Sequence, residues 1–333
     1  MTLSGTVEND TRTVVDIDDL SVHMGPAAVV RGVSLQLSAG AALSLVGESG
    51  AGKSMLARAM IGLLPPGAHA SAARMRVCGT DLLTCREDAR RASRGRDVAL
   101  VFQNPLRSLN PTMRIGAQLT EAITAHRPQG RAAARARAVD LLDMVRIPAA
   151  ASRLAEYPHQ LSGGMRQRVV IAIALACSPA VLIADEPTTA LDVTTQAQIL
   201  DLLQELRRNL GMAVVLITHD IRIAAGYTDD IAVMYAGRIV ERAPTDLLPE
   251  NARMPYTSAL FSAVPRLDAP PHSRLTAIPG RPPDPHDPPP GCAFAPRCPR
   301  ATDQCRAEAP TATQGAPGHT WACWHPVESG GQP

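Results

Sequence analysis

Between Leu43 and Ser54 the chain reads LSLVGESGAGKS, with Gly47 followed after four residues by Gly52-Lys53-Ser54. No other stretch restricts the fold as strongly. Glycines at this spacing let the backbone curl so that successive N–H groups point inward, a cradle for phosphate oxygens at the positive end of the next helix. The flanks suit this. Ala42 to Val46 is a short apolar run fit for a buried strand, and Met55 to Leu64 is helical in pattern until Pro65-Pro66 stops it. Gly47, Glu48, Ser49, Gly50, Ala51 and Gly52 are therefore candidates to enclose phosphates, Lys53 to reach the β- and γ-phosphates, and the Ser54 hydroxyl to ligate Mg²⁺. Lys53 is also the sole lysine among 33 lysines and arginines. A planar guanidinium replaces a compact ammonium poorly between phosphates, which explains why lysine survives here alone.

Composition narrows the function classes. A net charge of +2 and 3% aromatic residues offer neither the basic field nor the stacking platforms of a nucleic-acid binder. Met1 to Thr13 lacks the basic start and apolar core of a signal peptide. The most apolar stretch, Val169 to Ala184, is interrupted by Ser178-Pro179 and is too short to cross a bilayer. The expectation is a cytoplasmic chain, in which seven cysteines favour free thiols or metal ligation over disulfides.

In chain order, Val14–Ile17 and Val33–Leu37 have strand character, with Leu20–Met24 leading into a Gly-Pro turn. Arg74 to Arg96 is arginine-rich and reads as solvated surface. Val98–Phe102 is a strand, Ile115–Ile147 turns helical, and Arg166–Cys177 is a further helix. Then follow the strand Val181–Ala184, the helix Ala197–Asn209 closed by Gly211, the strand Ala213–Ile217, and a hairpin over Ile231–Tyr235 and Gly237–Val240. Strands alternating with helices predict an α/β fold with a largely parallel sheet and ligands at its strand ends. Beyond Pro249, clusters at Pro270-Pro271, Pro282-Pro283 and Pro288–Pro290 mark an extended linker to a segment with four of the seven cysteines.

Three elements narrow the phosphate-binding reading. Asp185, ending an apolar strand, suits a carboxylate that holds Mg²⁺, and Glu186 beside it could orient or deprotonate an attacking water. Leu161, Ser162, Gly163, Gly164 and Met165 open a helix and offer a second phosphate cradle, one more than a single nucleotide needs.

Together these motifs resemble the nucleotide-binding subunits of ATP-binding cassette (ABC) transporters, over roughly Val14 to Arg242. The resemblance implies ATP and Mg²⁺ as ligands, with the signature Leu161–Met165 completing the site of another subunit. It implies that Gln103 touches Mg²⁺ and the lytic water, that the D-loop lies in Thr189–Asp192, with Ala190, Leu191 and Asp192, and that His219 contacts the γ-phosphate. It puts Met24 where an aromatic residue usually stacks on adenine. Met165 stands where glutamine is commoner in the signature.

The wording of Phe102–Pro111, Gly164–Arg168 and Ile183–Val193, with Pro255-Tyr256-Thr257, Ala263-Val-Pro265 and Gly291–Pro299, is similar to the oligopeptide/dipeptide/nickel importer ATPases, and closer to the first of their two ATPase subunits. That implies an ABC domain over residues 1–250 with an antiparallel β subdomain and a helical subdomain at about 104–176. A Pro/Cys-rich extension over 251–333 follows, with its four-Cys segment at 291–326. The implied partners are a second, different ATPase subunit, two transmembrane permeases that meet Ile115–Ile147, and an extracytoplasmic solute-binding protein, with the chain peripheral on the cytoplasmic membrane face. The solute is expected to be a peptide, with nickel or another small solute as the alternative. A translation or repair factor of the ABC class would carry two cassettes or a long coiled-coil insertion. A kinase or GTPase would leave Leu161–Met165 unexplained.

Cys292, Cys298, Cys305 and Cys323 have spacings unlike paired Cys-x-x-Cys zinc sites, yet four thiolates are what a [4Fe–4S] cluster requires. The segment has few large apolar residues and needs a staple. Some peptide-importer ATPases with such a tail hold that cluster; zinc is the alternative.

Overall fold

The computed structural model describes residues 12–103, 105–126, 129–189, 191–263 and 278–328, without the side chains of 106 and 107. Asn104, Ala190, Val264-Pro265 and Pro270-Pro271 lie outside the described residues.

Two sheets organise the chain. One is antiparallel, built from β1 (Thr13–Met24), β2 (Ala27–Ser38), β4 (Ala68–Ser71), β5 (Arg74–Val77) and β6 (Thr80–Asp81), in the order β2-β1-β5-β6 with β4 also on β1. The other joins β3 (Ala42–Val46), β7 (Val98–Val101), β8 (Val181–Asp185), β9 (Ala213–Thr218), β10 (Asp230–Tyr235), β11 (Arg238–Pro244), β12 (Thr313–Gln314) and β13 (Thr320–Trp321). Its order is β12-β13-β11-β10-β3-β9-β8-β7. The five strands from β10 to β7 run parallel, and β11, β13 and β12 are antiparallel additions at one edge.

The central strands are apolar on both faces because both are covered. In β8, Val181 and Ile183 face a core shared with the antiparallel sheet and the helix Lys53–Met60, while Leu182 and Ala184 face the helical core. In β9, Ala213, Val215 and Ile217 divide from Val214 and Leu216 in the same way. The helices Ile115–His126, Arg131–Met144, Gly163–Ala174 and Val193–Leu210 fill the second core. Along Arg131–Met144 the buried positions are Ala134, Ala138, Leu141 and Leu142, so its arginines lie on the outer face.

The structure departs from the sequence expectation in four places. Leu20–Met24 does lead into the Gly25-Pro26 turn, but as the end of the same strand as Val14–Ile17: β1 is bulged, with Asp19 at φ 52° and shifted register against β2, so its alternation breaks mid-strand. Within Arg74–Arg96, Met75 and Val77 alternate with arginines and are buried, making β5 a strand and not only surface. The signature helix starts at Gly163, because Ser162 caps it by accepting the Met165 N–H at 3.3 Å. The helix after β8 starts at Val193, capped by Asp192, whose carboxylate takes the Thr195 N–H at 2.9 Å.

The C-terminal part folds back onto the main sheet. β13 pairs with β11 through Glu241↔Trp321 and Arg242↔Thr320. The helix Pro255–Ala263 buries Tyr256 and Leu260 beside Tyr235 and Phe294 in a third core.

Candidate functional site

The loop after β3 has the backbone its glycines allow. Gly50 and Gly52 take φ of 82° and 99°, and a Cβ at Gly47 would stand 2.2 Å from the Met234 carbonyl oxygen. Lys53, with 6% exposure, folds back and donates from Nζ to the carbonyls of Gly47 at 2.6 Å and Glu48 at 2.9 Å. Burial pushes its ammonium down from the usual range, while the carboxylates of Glu186, Asp185 and Glu48 pull it back.

Asp185 ends β8 below this loop, and its Oδ1 accepts the Ser54 hydroxyl at 3.1 Å. Burial pushes its carboxyl up from the usual value, partly countered by Ser54 and Lys53. A buried carboxylate beside a hydroxyl is a hard oxygen pair fit for a divalent cation.

Glu186 turns off the strand in left-handed backbone, φ 46°, its N–H donating to the Ile217 carbonyl at 3.0 Å. Its side chain gathers groups from three other segments. Gln103 Nε2 donates to Oε2 at 2.7 Å, Thr189 Oγ1 donates to the same oxygen at 2.9 Å, and His219 Nδ1 lies 3.4 Å from Oε1. Burial pushes the Glu186 carboxyl up, but the Thr189, His219 and Gln103 interactions together outweigh it and hold the group below its usual value. Gln103, Asp185, Glu186 and His219 are thus brought together at the ends of parallel strands, next to Ser54 and Lys53.

Other candidates lie apart. Met24 ends β1 and is 42% exposed. Leu161 is buried, Gly163 and Gly164 face Leu191 and Thr195, and no hydrogen bond or ion pair joins 161–165 to 47–54 among the described residues. Glu48 turns its N–H to Tyr256 Oη at 2.9 Å and its carboxylate to Arg297. Sequence reasoning put Thr189 in the D-loop without its bond to Glu186, and missed Tyr256 and Arg297 as neighbours of the site. Thr189 was within reach, three residues after Glu186, whereas the other two are distant in the chain and carry no local signal.

In the C-terminal part, Cys292, Cys298, Cys305 and Cys323 line one small cavity with Phe294 and Trp324. Burial pushes the Cys292 and Cys298 thiols up and Cys323 to about 11.

The ABC transporter family model matches residues 30–189, and the model for the oligopeptide/dipeptide transporter C-terminal region matches 240–305. The chain is 46% identical to the dipeptide transport ATP-binding protein DppD of Escherichia coli (strain K12), over 96% of this chain and 99% of that protein. It is 47% identical to the oligopeptide transport ATP-binding protein OppD of Mycobacterium tuberculosis, over 93% of this chain and 51% of that one. The dimeric cassette MJ0796, solved in a post-hydrolysis state bound to ADP and Pi, superposes with a TM-score of 0.59 at 28% identity, covering 69% of this chain and 98% of that one. A P-loop fold with the strand-end carboxylates in place, matched nearly end to end by the Escherichia coli DppD protein, puts the chain in the ABC transporter ATPase family, in the branch of dipeptide and oligopeptide transport ATP-binding proteins.

Proposed function

We propose that the chain hydrolyses ATP as one of two paired cassettes and that this drives uptake of peptides through a membrane-spanning partner. The observation that carries the reading is Glu186, held by Gln103, Thr189 and His219 one residue beyond the Asp185–Ser54 pair. Gly47 to Ser54 enclose the phosphates of ATP, and Lys53 exchanges its two backbone carbonyls for β- and γ-phosphate oxygens. Ser54, Asp185 and Gln103 offer the oxygen donors for Mg²⁺, which when bound neutralises phosphate charge. Glu186, ionised at neutral pH, orients the lytic water and takes its proton, a contribution of ~10²–10⁴-fold. His219, two-thirds exposed, reaches the γ-phosphate from the solvent side. Met24 faces the adenine. In the assembled transporter, Glu186→Gln is expected to keep ATP binding and lower turnover by about 100-fold or more. A near-normal rate would overturn the assignment.

Leu161 to Met165 and the D-loop Ala190–Asp192 serve the second cassette of the pair. The separation of 161–165 from the chain's own phosphate loop supports this, as does the dimeric relative bound to ADP and Pi. The names of the relatives support a peptide as the transported solute and fit permease partners and a second ATPase subunit. By the family resemblance, the permeases dock at Ile115–Ile147, the second ATPase subunit differs from this one, and an extracytoplasmic solute-binding protein delivers the peptide. No helix among the described residues is long and apolar enough to cross a membrane. By the family resemblance, the chain sits at the cytoplasmic face of the membrane, attached through the permeases. Residues 1–250 act as the nucleotide-binding unit, with a helical part at about 104–176, and 251–333 as the extension with its four-Cys segment at 291–326.

The extension has donors for a [4Fe–4S] cluster. Its four thiols share one cavity, yet among the described residues no three His, Cys, Asp or Glu side chains converge closely enough for one metal ion. Four thiolates supply one ligand to each iron of such a cluster, whereas one zinc needs all its sulfurs about 2.3 Å from a single point. When bound, the cluster would staple a segment with little apolar core.

A further inference from the structure

Glu48, the residue after Gly47, is gripped from the C-terminal extension at both backbone and side chain. Its N–H donates to Tyr256 Oη at 2.9 Å, from 208 positions along the chain. Its carboxylate receives a two-pronged pairing from Arg297, Nη1 to Oε2 at 2.6 Å and Nη2 to Oε1 at 2.9 Å, from 249 positions along. Arg297 has little freedom to do otherwise. It is 7% exposed, its Nε donates to the Pro279 carbonyl at 2.7 Å, and Nη1 also reaches Tyr235 Oη at 3.2 Å. Tyr235, Tyr256 and Phe294 pack around it with ring centroids 4.5 to 5.3 Å apart. A bidentate pairing of a buried guanidinium with a half-buried carboxylate is directional as well as strong.

The Gly47–Glu48 peptide unit links this grip to the nucleotide. Its N–H goes to Tyr256, and its C=O accepts Lys53 Nζ at 2.6 Å. The next carbonyl, that of Glu48, accepts Lys53 Nζ at 2.9 Å and the Ala51 N–H at 3.2 Å. One peptide plane therefore touches the extension on one edge and the phosphate-binding lysine on the other. Tilting it would displace both the curl of the loop and the resting place of the ammonium.

We propose that Arg297 and Tyr256 are positioning residues for nucleotide binding: by fixing the Gly47–Glu48 peptide they make ATP affinity depend on the docked extension. The inference rests on the reading of Gly47–Ser54 as the ATP site. The test is the Kd of a fluorescent ATP analogue on the full-length chain, for wild type, Arg297→Gln, Arg297→Lys, Tyr256→Phe, Glu48→Gln and the Arg297→Gln/Glu48→Gln double variant. Arg297→Gln should weaken binding about tenfold, and Arg297→Lys should recover part of that loss. Tyr256→Phe keeps the ring and removes only the accepting hydroxyl, so it tests the idea even if Arg297→Gln loosens the fold; about threefold weaker binding is expected. The double variant should bind no worse than Glu48→Gln alone, because both changes delete one pairing. Arg306→Ala, at an exposed pair with Asp303 in the same extension, should change nothing. Wild-type affinity in both Arg297→Gln and Tyr256→Phe, or fully additive losses at Arg297 and Glu48, would overturn the inference. A wild-type chain that binds no ATP would instead overturn the site reading beneath it.

Discussion

Glu241 tests how the extension is fastened to the cassette. It lies on β11 with 1% exposure. Its Oε1 accepts the Arg253 N–H at 2.7 Å and lies 2.8 Å from His319 Nε2, and its Oε2 accepts the Met254 N–H at 2.9 Å. One buried carboxylate thus anchors the turn before the helix Pro255–Ala263 and the residue before β13. Glu241→Ala strands two backbone donors at about 1–3 kcal/mol each and removes the partner of a buried histidine, so the extension should lose about 3–5 kcal/mol of docking. Glu241→Gln keeps one acceptor oxygen but points an NH₂ at a donor, and should cost about half as much. Both tryptophans, Trp321 and Trp324, sit in the extension, so their fluorescence reports its undocking while far-UV circular dichroism reports the helices elsewhere. In a urea titration, Glu241→Ala should move the fluorescence midpoint down by about 1.5–5 M, ahead of the dichroism transition, for a slope of about 1–2 kcal/mol/M. An unmoved fluorescence midpoint would refute the claim that this carboxylate is the fastening.

Anaerobic purification should give a brown protein with about four irons per chain on the Cys₄ cluster reading; a colourless preparation with neither iron nor zinc and all four thiols open to alkylation would rule it out. Because Glu186 is held below the usual carboxylate range, the kcat/KM profile should show no acid limb from it near pH 5–6. Thr189→Val removes one of the hydrogen bonds that lower the group, so the acid limb should move up in pH; a limb that stays put or moves down would count against Glu186 as the titrating group.

Much of the nucleotide site was legible because it is local. The run Ala42–Val46 is a strand as read, buried at every position, and the apolar runs ending at Asp185 and His219 placed their polar residues at strand ends without any tertiary information. Legibility failed where a rule was overridden nearby. Asp19 in left-handed backbone broke the alternation of β1, and arginines flanking Met75 and Val77 disguised a strand as a charged surface. The helix read as Arg166–Cys177 begins at Gly163 because the Ser162 side chain caps it. Nothing local marks Tyr256 and Arg297 as neighbours of Glu48. That contact exists only because the Tyr235–Tyr256–Phe294 cluster draws the extension under the phosphate loop, joining positions more than 200 residues apart.

The proposed ATPase site is one that a single chain does not complete. On that proposal, Ser162 to Gly164 finish another cassette's site, and the loop Gly47–Ser54 takes such a signature in return. The most direct measurement is ATP turnover per chain against protein concentration, alone and with the partner ATPase and permeases added. Turnover should be low for the dilute chain and rise when the partners are supplied. Full, concentration-independent turnover by a chain shown to be monomeric would contradict it.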